Sequence, residues 1–173
     1  MKLPCIAIVL CAASSASAGT PRLNAELAGI GFLVGRWDTG AGNVADTGGT
    51  SKGFSVVTVE ANGAALLRRD HTDLFDAAKK PSGGFDQIML IYPENGTLYA
   101  DYSDGRHVIH YKSATVVAGE SVTFSSVSQP GAPTFKLTYE FHAPDTLNVT
   151  FGMLPPGQSV FQPIASGTLR KHE

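Results

Sequence analysis

From Phe32 to the C-terminus, apolar and polar side chains alternate with a period of two, and Gly, Pro, Asn or Asp breaks the pattern about every ten residues. Short antiparallel strands joined by tight turns fit that spacing. The long crossovers that parallel strands require do not. Strands are predicted at Phe32–Gly42, around Phe54–Val59, and at Ala64–Leu74, Phe85–Tyr92, Leu98–Tyr102, His107–Val117 and Val122–Val127. Three more follow, through Phe135–His142, around Leu147–Phe151 and at Val160–Lys171. Asn62-Gly63 between the second and third has the composition of a two-residue type I′ hairpin turn. About ten sequential strands favour an up-and-down antiparallel β-barrel, because closing the sheet removes its exposed edges.

The cleanest alternation sets Phe135, Leu137, Tyr139 and Phe141 on one face and Lys136, Thr138, Glu140 and His142 on the other. The aromatic face is predicted to point inward, since burying the charged set costs far more. One stretch departs from period two. Pro21 suits a first helical turn, Leu23, Leu27 and Ile30 fall at helical spacing, and Gly31 ends the pattern, so a short N-terminal helix over Pro21–Ile30 is expected to close one end of the barrel.

Ahead of that segment lie Lys2, an apolar run from Leu3 to Ala13, and the small residues Ser14 to Ala18. This is the order of a secretory signal peptide, with Ala16-Ser17-Ala18 as the cleavage site, and the run is shorter than the ~20 residues of a membrane span. Residues 1–18 are therefore expected to be a signal and 19–173 one barrel domain, exported to the periplasm or beyond the cell. The only cysteines, Cys5 and Cys11, fall inside the signal, and Leu10 is bulky for a lipidation site at Cys11. A disulfide-free domain must rest on an ordinary hydrophobic core. Removing Lys2 takes the formal charge from −2 to −3, too mild to suggest nucleic acid or an anionic membrane as partner.

Phe32-Leu33-Val34-Gly35-Arg36-Trp37 places a Gly-x-Trp at the start of the first strand, just after the expected helix. This resembles the opening signature of lipocalins and their calycin relatives. The resemblance implies that Arg170, late in the last strand, lies across the Trp37 ring. Leu66 to His71, Ile91-Tyr92-Pro93 and Tyr102 to Tyr111 extend it, over roughly Leu27 to Lys171, to a group of exported bacterial lipocalin-like proteins of uncharacterised activity. Gly35, Trp37 and Arg170 are its structural signature, and the implied fold is a lipocalin-like barrel.

The chain carries no Gly-x-Ser-x-Gly elbow, Walker loop or His-Glu-x-x-His, and no cofactor is expected. His107 and His110, three apart in a strand, point to opposite faces and cannot share a metal ion. Asn95-Gly96-Thr97 and Asn148-Val149-Thr150 match the glycosylation sequon, which a bacterial protein is not expected to use. Arg69, His71 and Asp73 share one face of a strand, and Arg68, Asp70 and Thr72 share the other. Two readings apply to either set: rim charge paired with neighbouring strands, or an anchor for a ligand in the lumen. The ligand reading takes Arg69, His71, Tyr102, His107 and Tyr139 as lumen candidates, with His107 sharing its face with Ile109 and Tyr111. Tyr92 is a further amphipathic candidate. The expected function is an exported binding protein for a small apolar or amphipathic molecule. The alternatives are a lumen enzyme of isomerase or lyase type, with His71 or His107 as general base and Arg69 stabilising an anion, and a structural or protein-interaction module.

Overall fold

The computed structural model describes residues 22–44, 48–127 and 130–172. The expected signal and its cleavage site, Cys5, Cys11 and Pro21 lie outside the described residues. Ten antiparallel strands form a closed barrel: β1 Gly35–Val44, β2 Gly49–Glu60, β3 Ala65–Phe75, β4 Pro81–Glu94, β5 Thr97–Ser103, β6 Val108–Val117, β7 Ser121–Ser126, β8 Thr134–His142, β9 Thr146–Leu154 and β10 Gln162–Lys171. Each strand pairs with the next in sequence, and β1 closes on β10 through Trp37 opposite Lys171, Asp38 opposite Arg170 and Thr39 opposite Leu169. The expected meander is thus the observed one. Closure leaves every strand paired on both sides.

The first turn of the described chain differs from the α-helix expected over Pro21–Ile30. Ala25 to Leu27 make a turn, and Ala28–Leu33 form a 3₁₀-helix that runs through Gly31. Asn24 Oδ1 accepts the N–H groups of Glu26 and Leu27, tightening the entry, while Gly29 and Gly31 weaken any α-helical continuation. The buried residues Leu27, Ile30 and Leu33 recur every three positions, the period of a 3₁₀-helix. Gly29 O accepts the N–H of Gly119 at 2.8 Å, which fastens this segment across the barrel end.

The Asn62-Gly63 turn is also more than a two-residue hairpin. Ala61, Asn62 and Gly63 all have positive φ, and Gly63 O accepts the N–H of Asn24 at 3.0 Å. A Cβ at Gly63 would fall 2.1 Å from the Arg22 carbonyl oxygen, so the N-terminal segment packs on this turn only because the residue is glycine.

The N-terminal segment seals one end, where Leu27, Ile30, Leu33, Trp37, Leu66, Ile91 and Val122 pack with almost no exposure. Phe135, Leu137, Tyr139 and Phe141 all join this core from β8, while Lys136, Glu140 and His142 are exposed. The predicted parity of β8 therefore holds. The β1–β2, β3–β4, β5–β6, β7–β8 and β9–β10 connections lie at the opposite end, and there the barrel is open.

Candidate functional site

The open half of the barrel holds a cavity of about 1110 Å³. Ile109, Phe135, Leu137, Val149, Phe151 and Leu169 give it apolar walls, as the inward positions of an alternating strand should. Among its polar groups, Arg68, Asp70, Gln87, Tyr102, Tyr111 and Tyr139 are delivered by β3, β4, β5, β6 and β8. Along β3 the inner face reads Leu66, Arg68, Asp70, Thr72 from the sealed core toward the mouth, so Arg68 stands on the cavity floor.

Arg68 is 6 % exposed. Its Nη2 lies 2.9 Å from Asp70 Oδ2, and its Nη1 donates to the Tyr139 hydroxyl. The Tyr102 and Tyr139 rings flank the guanidinium at 5.8 and 6.0 Å. Burial by itself disfavours the charged form, but Tyr139, Asp70 and Tyr102 outweigh it and hold the guanidinium above its usual pKa. The ion pair uses one nitrogen and one oxygen only. Arg68 Nε and Asp70 Oδ1 are buried without a hydrogen-bond partner among the described residues.

Burial raises the pKa of Tyr139 and Tyr111, and burial followed by the charge of Asp104 pushes that of Tyr102 up to about 12. All three phenols therefore keep their protons at neutral pH and can donate. Tyr102 receives a hydrogen bond from Gln87 Nε2 at 2.8 Å and faces Asp104 Oδ2 at 3.4 Å. The Tyr111 hydroxyl makes no hydrogen bond among the described residues.

Tyr102 and Tyr139 line the cavity. Arg69 and His71 do not. Both stand on the outer face of β3, with Arg69 Nη1 4.0 Å from Glu60 and His71 between Asp86 at 2.7 Å and Asp73 at 3.3 Å. The other face, Arg68, Asp70 and Thr72, takes the lumen instead, because Leu66 faces the core opposite Ile91 and the strand alternates from there. A general base at His71 is accordingly outside the barrel. His107 sits at the mouth, one residue before β6, 72 % exposed and bonded through Nδ1 to Asp104 at 3.0 Å, while Ile109 and Tyr111 face inward as expected. Tyr92 is on the outer face, donating to Asp101 at 3.0 Å.

At the sealed end Gly35 has φ 128°, a conformation that favours glycine where the 3₁₀-helix turns into β1. Trp37 is fully buried, but Arg170 does not cover it. Lys171 Nζ lies over its ring at 5.6 Å, whereas Arg170 turns outward to Asp145 Oδ1 at 2.9 Å. The register explains the exchange. Lys171 is directly opposite Trp37 and shares its face, and Arg170 is one residue out of phase.

No protein-family model and no curated protein matches this chain.

Among the described residues, no three His, Cys, Asp or Glu side chains come together to hold a metal ion. No described helix is long and apolar enough to cross a membrane.

Outside the barrel, four histidines each face a carboxylate: His71 with Asp86 and Asp73, His107 with Asp104, His110 with Asp101, and His172 with Asp38. The Asp86 hydrogen bond leads in raising the His71 pKa, so the His71 contribution is complete below the unfolded value of about 6.5 and fades as pH rises through the folded value. Asp38 and Asp104 are lowered, chiefly by hydrogen bonds from His172 and His107, and Asp101 is lowered by His110 and Tyr92 against its own burial. Their contributions are present above the unfolded value of about 4 and fade as pH falls below it. The melting temperature is expected to decline on both sides of a plateau between these limits. His71→Gln should flatten the alkaline limb and leave the acid limb alone. An unchanged alkaline limb in that variant would remove His71 as its source.

Proposed function

We propose that this chain is an exported binding protein of lipocalin-like type that holds a small, largely apolar or amphipathic molecule in the open half of its barrel. The observation that carries the reading is the cavity itself: about 1110 Å³, open at one end, with aromatic and aliphatic residues in its walls and the buried Arg68 at its floor. Small-molecule sites have this composition, and the volume accommodates a ligand of ordinary cofactor or lipid size. Its resemblance to lipocalins at Gly35 and Trp37 agrees with such a role, and export would follow from the signal-like N-terminus.

The test blocks the lumen without touching its polar floor. A Cβ at Gly167 meets nothing within 4 Å, and the residue lines the cavity, so Gly167→Phe puts a ring into open space. Wild type, screened by thermal shift against fatty acids, retinoids, tetrapyrroles and aromatic acids, should be stabilised by its ligand by roughly 2.7 kcal/mol at a hundredfold excess over Kd. Gly167→Phe should fold and lose that shift, and Arg69→Ala, on the outer face, should keep it. A shift that survives Gly167→Phe would place the ligand elsewhere. Mass spectrometry of the extract denatured from protein purified out of its native host identifies the natural occupant.

A further inference from the structure

We propose that the ligand's head group, at the floor of this cavity, is an uncharged oxygen acceptor, such as the carbonyl of a ketone, ester or amide, and not a carboxylate. The inference rests on the lumen being a binding site and says what that site selects.

A buried arginine in an apolar barrel invites a carboxylate ligand, and the surroundings of Arg68 argue against one. Asp70, two residues along the same strand face, already supplies the counter-charge at 2.9 Å. The pair is neutral before any ligand arrives. An ionised ligand would set a second carboxylate beside Asp70 in a site of low dielectric, where like charges repel strongly and each must also be stripped of water.

The floor instead offers hydrogen-bond donors that carry no charge of their own. Tyr139 accepts from Arg68 through its oxygen, which leaves its O–H proton free. The Tyr111 hydroxyl has no hydrogen-bond partner among the described residues, and its ring packs against Phe124 at 6.1 Å. Both phenols stay protonated, since burial raises their pKa, and Tyr111 lies within the electrostatic reach of both Tyr139 and Arg68. Two neutral donors lining the same cavity as an internally compensated ion pair match an oxygen with two lone pairs and no net charge. A carbonyl satisfies them. A carboxylate satisfies them too, at the expense of facing Asp70.

The experiment is isothermal titration calorimetry at neutral pH with two probes that share one alkyl tail, decanoate and methyl nonyl ketone. Wild type is expected to bind the ketone tighter by about tenfold or more, the size of one hydrogen-bonding or charge mismatch. Asp70→Asn removes the competing charge and keeps an oxygen for Arg68, so decanoate should gain and the preference should shrink or invert. Tyr111→Phe keeps the ring and deletes one donor, so the ketone should weaken by several-fold. Tighter binding of decanoate by wild type would overturn the inference while leaving the lumen reading intact. An unchanged ketone affinity in Tyr111→Phe would overturn it even if Asp70→Asn fails to fold. Binding of neither probe would overturn this inference alone, and binding that Gly167→Phe leaves untouched would take down the lumen reading with it.

Discussion

Replacing Trp37 with Ala is expected to destabilise the barrel by about 3 to 5 kcal/mol, the range for deleting a fully buried large aromatic. The loss has three parts at one place. The indole is completely buried at the sealed end, its ring meets Phe141 edge-on at 6.2 Å, and its Nε1 donates to Leu33 O at 2.8 Å. That hydrogen bond ties the 3₁₀-helix to the first strand. Without it the Leu33 carbonyl loses its partner under a cavity, and the stack of Phe32 on Phe141 at 5.7 Å loses its support. Trp37→Phe should recover most of the packing and none of the hydrogen bond, so its cost should be smaller by more than half. Chemical denaturation monitored by circular dichroism measures both, since the variants lack the only tryptophan. A Trp37→Ala protein within about 1 kcal/mol of wild type would mean that the sealed end does not hold the barrel together.

The second large effect belongs to the floor of the cavity. Asp70→Ala is expected to cost about 3 to 5 kcal/mol, because it leaves the Arg68 guanidinium charged, buried and deprived of its one carboxylate. Arg68 cannot relieve the strain by losing its proton, since a guanidinium stays charged in proteins. The double variant Arg68→Met with Asp70→Leu removes both charges and fills similar volume, so it should recover most or all of the loss. A double-mutant cycle then gives a coupling of several kcal/mol between residues that are near neighbours. Additive single and double costs would show that the pair does not act as a unit.

The two outcomes lie on different sides of what local sequence can specify. Strand number, antiparallel order and barrel class were legible because period-two alternation and turn residues are local properties. The β8 parity was legible too, because Lys136, Glu140 and His142 on one face leave only Phe135, Leu137, Tyr139 and Phe141 for the interior. Trp37 and Gly35 were likewise identifiable as fixed structural points from their place at the start of β1.

The third strand offered no such contrast. Arg68, Asp70 and Thr72 are as polar as Arg69, His71 and Asp73, and the facing segment of β4, from Ile88 to Ile91, is apolar on both faces. Only the pairing of Leu66 with Ile91 inside the sealed core fixes which set enters the lumen. One residue of register decides it. The same one-residue parity gave Trp37 to Lys171 in place of Arg170. Local pattern therefore determined that this chain is a closed antiparallel barrel. Closure of the ladder, a non-local set of hydrogen bonds, decided which of two equally polar faces became the floor of its cavity.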